Sequence, residues 1–311
     1  MSGVAHLVVV LGPTASGKSA LGVALARALG GEVVNADAVQ LFRGMDVGSA
    51  KATVEERGGV PHHLLDVLDV TQATSVAAVQ REARAVVDDC LGRGTWPVLV
   101  GGSSLYVRAV VDDLDFPGTD PDLRARLTAR LESEGAAELH AELARVAPEA
   151  AEHVLASNGR RVVRALEVTE LTGRPFVATM PAYEAVRPPV TVLGLDVPRD
   201  VLDDRITRRV DAMWDAGLVD EVRRLREVGL DGSPTASRSL GYQQVLAHLR
   251  GELSEDEARA ETVRGTRAFA RRQDRMFRKD PRVRWLPHDA PDLLDRALAE
   301  VSRSEQPPPA T

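Results

Sequence analysis

The chain has 311 residues, of which 44% are hydrophobic and 27% charged, and these values exclude the disordered, collagen-like and disulfide-rich classes of protein. Its formal net charge of −7 argues against nucleic-acid binding driven by overall charge. The lone cysteine, Cys90, offers neither a disulfide nor a thiol cluster for a metal. The first apolar run, 7–11, is too short for a signal peptide or a membrane span. We therefore expect a cytoplasmic protein with no membrane partner.

The first elements follow the pattern of a strand, a glycine-rich loop and a helix. An apolar run over 6–11 is followed by a helical pattern that ends near Leu29. Between them lies Gly12-Pro13-Thr14-Ala15-Ser16-Gly17-Lys18-Ser19, which matches G-x-x-x-x-G-K-[ST] in the strand-to-helix context that this motif requires. We predict a phosphate-binding loop in which backbone N–H groups and Lys18 contact phosphate oxygens, while the Ser19 hydroxyl can hold Mg²⁺.

Two further strand patterns end in turns that carry polar residues or glycine. The first, at 33–34, leads into Asn35-Ala36-Asp37, and the second, at 96–100, leads into Gly101-Gly102-Ser103. Apolar strands that alternate with helices predict a parallel sheet covered on both faces. Because ligands of such sheets bind beyond the carboxyl ends of the strands, we expect the phosphate loop and both turns to converge.

The residues near this loop leave its ligand open. The usual ligand is ATP or GTP, and an enzyme that uses them usually has an acid directly after a buried strand. The strand at 97–100 ends in glycine instead, and the nearest acid is Asp37, which shares its turn with Asn35 and Gln40. One carboxylate and two amides suit the edge of a purine at least as well as they suit a metal ion.

The middle of the chain is helical in pattern. Leu123, Leu127 and Leu131 recur at helical spacing, and Leu139, Leu143 and Val146 repeat it. An apolar strand pattern returns at 190–197. We predict an α/β fold with a parallel-sheet core of the P-loop NTPase type, formed by 1–114 and 188–301, and a helical insertion at 115–187. Residues 302–311 are polar and proline-rich, and we expect them to be a disordered tail.

Basic residues outnumber acids strongly between Arg259 and Arg284. Arg267, Arg271 and Arg275 repeat on one face of a predicted helix. A charged face exposed to solvent and a surface that contacts an RNA backbone both fit this spacing, and the local excess of positive charge favours RNA.

Several segments occur in a fixed order along nearly the whole chain. They are the phosphate loop, 35–51, 61–66, 101–106, 161–168, 240–243 and 271–273. Together they closely resemble the tRNA dimethylallyltransferase family. The resemblance implies transfer of a dimethylallyl group from dimethylallyl diphosphate to the exocyclic N6 of the adenosine just 3′ of the anticodon, with Mg²⁺ and without ATP. It also implies Asp37 as the general base, with Thr14 and Ser103 as polar groups near the substrates.

We expect the protein to act as a monomer. The same resemblance also assigns the residues that bind the substrates. The diphosphate would be held by Arg209 together with Gly12, Pro13, Thr14, Ala15, Ser16, Gly17, Lys18 and Ser19. Contacts with the tRNA anticodon stem-loop are implied for Asp37, Ala38, Val39, Gln40, Ser103, Arg124, Arg160, Arg161, Arg164, Arg238, Gly241, Tyr242 and Gln243, and the helical spacing adds Arg267, Arg271 and Arg275.

Three alternatives share part of this pattern. A kinase that phosphorylates a small molecule would need the phosphate loop but not the basic stretch. A transferase acting on free adenine nucleotides would share the chemistry and would accept AMP. An inactive RNA-binding protein would keep the arginines without needing Lys18 or Asp37.

Overall fold

The computed structural model describes residues 4–176 and 182–304. The chain forms two compact units, one of Met1–Asp113 with Tyr183–Thr311 and the other of Leu114–Ala182. Among the described residues, no helix is both long enough and apolar enough to cross a membrane.

The larger unit is built on one six-stranded parallel sheet. Its strands are β1 (Leu7–Leu11), β2 (Glu32–Asn35), β3 (His62–His63), β4 (Pro97–Gly101), β5 (Val190–Asp196) and β6 (Arg284–Pro287), in the order β3-β2-β4-β1-β5-β6. The helices, in chain order, are α1 (Lys18–Leu29), α2 (Val54–Arg57), α3 (Val76–Gly92), α4 (Ser104–Val111), α5 (Pro121–Glu134), α6 (Ala136–Val146), α7 (Pro148–His153), α8 (Gly159–Thr172), α9 (Arg199–Asp215), α10 (Leu218–Glu227), α11 (Tyr242–Leu249), α12 (Glu255–Phe277) and α13 (Leu293–Ser304).

Both faces of the sheet are covered, which explains why the central strands are apolar throughout. Leu7, Val9 and Leu11 of β1 pack on one side with α3 and α4. Val8 and Val10 pack on the other side with α1 and α13. Successive side chains of a strand point to opposite faces, so a strand buried on both sides must be apolar at every position. The predicted α/β parallel-sheet core is therefore confirmed.

The smaller unit contains α5 to α8 around a core of its own. Leu123 and Leu127 of α5 and Leu139 and Leu143 of α6 are buried there, as their spacing predicts. Val146 is helical as its spacing predicts, although its side chain is 55% exposed. It is the last residue of α6, and Ala147 directly after it is buried in its place.

The ends of the predicted segments differ from the structure by a few residues. Tyr183 lies under the guanidinium of Arg108, and the Val186 N–H donates to the Val111 carbonyl, so 183–187 group with the larger unit rather than with the insertion. The final helix α13 continues to Ser304 because it buries Ala297 and Val301 against the sheet. Residues 302–304 of the expected tail are therefore helical, and 305–311 lie outside the described residues.

Candidate active site

A cavity of about 460 Å³ opens beyond the carboxyl ends of β1, β2 and β4. Its walls come from the phosphate loop and the first turns of α1, from the turn after β2, from 49–52, and from α9. The residues predicted for the site that line it are Thr14, Ala15, Gly17, Lys18, Ser19, Asp37, Gln40 and Arg209. The sheet geometry thus brings together the phosphate loop, the Asp37 turn and Gly101 of the turn after β4, whereas Gly12, Pro13, Ser16 and Ser103 are not among the lining residues.

The phosphate loop has the backbone conformation that its sequence predicts. Ala15 and Gly17 have positive φ angles of 65° and 99°, and α1 begins directly after Gly17. These angles let the loop turn sharply around its own concave side. The hydroxyl of Ser16 is buried and has no hydrogen-bond partner among the described residues. The positive φ angles and the helix that starts directly after them therefore fit a phosphate-binding loop, whereas Ser16 does not line the cavity.

Two cations face this cavity. Burial lowers the pKa of Lys18 to about 8, the charge of Asp37 raises it, and the charge of Arg209 lowers it. Burial also lowers the pKa of Arg209. The Nη1 of Arg209 lies 3.5 Å from the Thr14 hydroxyl, and the Lys18 ammonium lies 3.4 Å from the Pro13 carbonyl. Two desolvated cations side by side repel each other, so an anion such as a diphosphate would stabilise both.

The pKa of Lys18 makes anion binding depend on pH. Between pH 7 and pH 9 we expect the affinity for inorganic diphosphate to fall by about ten-fold, because Lys18 with a pKa of about 8 loses its proton over this range. Titration calorimetry at several pH values measures this. The Lys18→Arg variant keeps its charge throughout and corrects for titration of the ligand. Equal pH profiles for the two proteins would remove Lys18 from the anion site.

Asp37 is oriented by a local hydrogen-bond network. Its Oδ1 accepts from the Val39 N–H at 2.9 Å, and its own N–H donates to the Asn35 side chain at 2.9 Å. Asn35 is in turn held by the carbonyls of Asp37 and Leu64. The Oδ2 of Asp37 has no hydrogen-bond partner in the described part of the chain. One carboxylate oxygen therefore fixes the turn and the other is available to a ligand.

Tyr106 and Ser103 lie near this turn. The pKa of the Tyr106 phenol is raised by burial and by the charge of Asp37, which places the two side chains within electrostatic range of each other. The Ser103 hydroxyl caps α4 and accepts from the Tyr106 N–H at 3.5 Å. Ser103 thus has a structural partner. Tyr106 is a neighbour of Asp37, and the sequence alone assigned no role to Tyr106.

Lys51 is a second residue whose role the sequence alone did not indicate. Its ammonium donates to the Phe42 carbonyl at 2.9 Å, to Asp46 at 2.6 Å and to Asp66 at 2.5 Å. A lysine has three N–H donors, so all of them are used. Although Lys51 lines the cavity, it serves to hold the loop that carries Gln40, whose amide donates to the Ser49 carbonyl at 3.2 Å.

The prediction that Tyr242 contacts tRNA is wrong for its side chain. Tyr242 is 0% exposed, and its hydroxyl donates to Glu221 at 2.7 Å. Glu221 also accepts from the N–H groups of 46–48, so the pair anchors that loop from beneath. The aromatic ring at the start of α11 faces the core, and Gly241 beside it is buried as well. The other two residues predicted on this segment, Arg238 and Gln243, are exposed.

The four arginines predicted to contact tRNA from the smaller unit divide into two pairs. Arg124 and Arg164 both bind the carboxylate of Glu167, which is 0% exposed, with Arg164 at 2.6 Å. A buried carboxylate without such partners would be strongly destabilising, so these two arginines have a structural task. Arg160 and Arg161 are exposed at the start of α8 and remain available to a ligand.

The basic stretch is also partly neutralised by acids from elsewhere in the chain. Arg267 and Arg271 of α12 approach Asp203 of α9 at 4.0 and 3.8 Å, beside a groove of about 520 Å³ between the two helices. Arg275 is exposed and has no hydrogen bond or ion pair within the described ranges. The local positive charge counted from the sequence is therefore larger than the charge that is free of acidic partners.

Ala38 and Val39, which were also predicted to contact tRNA, are half-buried in the turn beside the cavity.

Comparisons with known proteins agree on one family. A family model described as IPP transferase matches residues 40–280. The tRNA dimethylallyltransferase of Streptomyces avermitilis is 61% identical over 302 residues, which cover 97% of this chain and 96% of that protein. The crystal structure of the tRNA isopentenylpyrophosphate transferase from Bacillus halodurans has a TM-score of 0.71 at 38% identity and covers 96% of each chain. A eukaryotic dimethylallyltransferase acting on tRNA shares the fold, with a TM-score of 0.79 at 23% identity over 95% of this chain and 77% of that one.

Proposed function

The chain belongs to the IPP transferase family, and we propose that it transfers a dimethylallyl group from dimethylallyl diphosphate to the N6 of the adenosine just 3′ of the anticodon in tRNA. One observation carries the proposal: a single cavity contains two desolvated cations, Lys18 and Arg209, and the oriented carboxylate of Asp37. A diphosphate needs the two cations, and an amine nucleophile needs the carboxylate. We further propose that the protein acts as a cytoplasmic monomer.

The cations act on the leaving group. When the allylic C1–O bond breaks, negative charge builds on the diphosphate and positive charge on the allyl carbon. Lys18, Arg209 and the phosphate-loop N–H groups other than those of Thr14 and Ser16, which already donate within the protein, would stabilise the departing diphosphate, because donors placed before the reaction need no reorganisation during it. Thr14, which accepts from Arg209, would help to hold that guanidinium in place.

Asp37 acts on the nucleophile. The lone pair of an adenine amine is delocalised into the ring, so the amine attacks poorly unless its proton is taken up as the new bond forms. The N6–C1 bond would form while the N6 proton moves to the carboxylate of Asp37. The adenosine has to leave the stacked anticodon loop to reach this carboxylate.

The residues present fit a magnesium ion bound mainly by substrate. Mg²⁺ usually keeps several waters and takes only one or two protein ligands when it binds a phosphate chain. Ser19, on the exposed first turn of α1, lines the cavity and offers its hydroxyl. When bound, the ion would add positive charge at the leaving group.

Parallel incubations with different substrates separate this proposal from the kinase and from the transferase for free nucleotides. The purified protein is incubated with Mg²⁺ and dimethylallyl diphosphate plus either tRNA or AMP, and with ATP alone, and release of phosphate or diphosphate is measured. We expect diphosphate only in the presence of tRNA. Turnover of AMP would indicate a transferase for free nucleotides, and turnover of ATP in the absence of RNA would indicate a kinase.

The exposed arginines of α12 give a prediction about binding. Arg271→Ala combined with Arg275→Ala should lower the salt dependence of tRNA affinity, with the slope falling by about 1 for each tRNA phosphate that the variant no longer neutralises. Since Arg271 is shared with Asp203, we expect most of the change from Arg275. Filter binding from low to moderate salt measures the slope, and Arg296→Ala, an exposed arginine of α13, is the matched control. An unchanged slope would assign this face to solvent.

A further inference from the structure

One buried amide joins the two loops that border the cavity. Gln273 of α12 is 7% exposed. Its Oε1 accepts from the Thr14 N–H in the phosphate loop at 2.9 Å, and its Nε2 donates to the Gly102 carbonyl after β4 at 2.6 Å. These loops come from different strands of the sheet. The same side chain therefore sets the distance between them.

The contact is tightly packed beside Lys18. A Cβ atom at Gly102 would lie 2.6 Å from Nε2 of Gln273 and 3.5 Å from the Lys18 ammonium. A Cβ atom only 2.6 Å from Nε2 would clash with it, so only glycine at position 102 allows the Gln273 amide to approach the Gly102 carbonyl. Gln273 itself does not line the cavity. Any effect that it has on a substrate must pass through the residues that it holds.

Those residues lie on opposite sides of the reaction. Thr14 contacts Arg209 on the diphosphate side, at 3.5 Å. Gly102 directly follows Gly101, which lines the cavity on the acceptor side and lies so close to Ala36, the neighbour of Asp37, that a Cβ atom at Gly101 would be 2.6 Å from the Ala36 side chain. We propose that Gln273 is a positioning residue that aligns the diphosphate side of the site with the acceptor side. This inference rests on the proposed function, because only a reaction between two bound substrates needs that alignment.

A comparison of two buried glutamines tests it. Gln80 of α3 is 8% exposed and donates to the Ala109 carbonyl at 2.8 Å, but it lies outside the cavity. Gln273→Leu leaves the Thr14 N–H and the Gly102 carbonyl without this partner, Gln80→Leu leaves the Ala109 carbonyl without its donor, and both variants should lower the melting temperature. With both substrates saturating, we expect Gln273→Leu to lower kcat by about 100-fold, because small misplacements of reacting groups have effects of this size. Gln80→Leu should stay within about three-fold of the unsubstituted protein.

Binding measurements complete the test. Affinity for tRNA alone should be the same for Gln273→Leu and Gln80→Leu. Gln273→Glu keeps the acceptor for Thr14 but loses the donor to Gly102, so it should also lower kcat, and it serves in place of Gln273→Leu if that variant does not fold. A kcat within about three-fold of the Gln80→Leu value would overturn the inference. An unsubstituted protein that does not modify tRNA would instead contradict the proposed function.

Discussion

Asp37→Asn is expected to lower kcat by about 10²- to 10⁴-fold, the usual contribution of a general base. The substitution keeps the size of the side chain and the oxygen that accepts from the Val39 N–H, so the turn should keep its conformation. An amide cannot take up the N6 proton. The loss should therefore appear in the chemical step and not in folding or in tRNA affinity.

Single-turnover kinetics with saturating enzyme isolates that step. Asp69→Asn is the matched control, because Asp69 forms an exposed ion pair with Arg43 away from the cavity. We expect the control to react at the rate of the unsubstituted protein. Unchanged single-turnover rates for Asp37→Asn would exclude Asp37 as the base, whatever its place in the cavity.

Removal of either cation should have the second large effect. A hydrogen bond to a charged group contributes about 1.5–3 kcal/mol, so Lys18→Ala and Arg209→Ala should each weaken dimethylallyl diphosphate binding by about 10- to 150-fold. Both side chains are desolvated in the free protein, and removing one cation also relieves repulsion on the other. That relief offsets part of each single loss, so the loss of binding free energy in the double variant should be larger than the sum of the single losses.

Calorimetry with dimethylallyl diphosphate in the absence of tRNA gives these affinities directly. Arg208→Ala is the control for Arg209→Ala, since Arg208 is its exposed neighbour on α9. Lys279→Ala, at an exposed lysine beyond α12, serves the same purpose for Lys18. If the variants bind as tightly as their controls, the diphosphate is held elsewhere.

The sequence-based predictions that proved correct depend on patterns within short segments of the chain. The central strands are apolar at every position because they are covered on both sides, and this is visible in the sequence itself. The phosphate loop is equally local, since its glycines and Lys18 lie within one short segment that forms a strand-to-helix turn. From these two features the sheet, the place of the cavity and the convergence on Asp37 all followed.

Long-range pairing accounts for what the sequence did not reveal. A sequence does not show whether a distant acid occupies an arginine that could otherwise bind RNA. Arg124 is bound by Glu167, which lies 43 residues away along the chain. Tyr242 likewise faces the core because Glu221, itself bound to a loop 173 residues earlier, accepts its hydroxyl. The amide of Gln273, 259 residues from Thr14, is hidden for the same reason. Residue type gives the chemistry of a group, and only the fold gives its partner.

The most direct measurement is nucleoside and fragment mass spectrometry of unmodified tRNA after incubation with the protein, Mg²⁺ and dimethylallyl diphosphate. We expect one adenosine heavier by one dimethylallyl group, located just 3′ of the anticodon, and no such product with the Asp37→Asn variant. An unmodified tRNA in the presence of folded, diphosphate-binding protein would contradict the proposed transfer, and so would a dimethylallyl group on any other nucleotide.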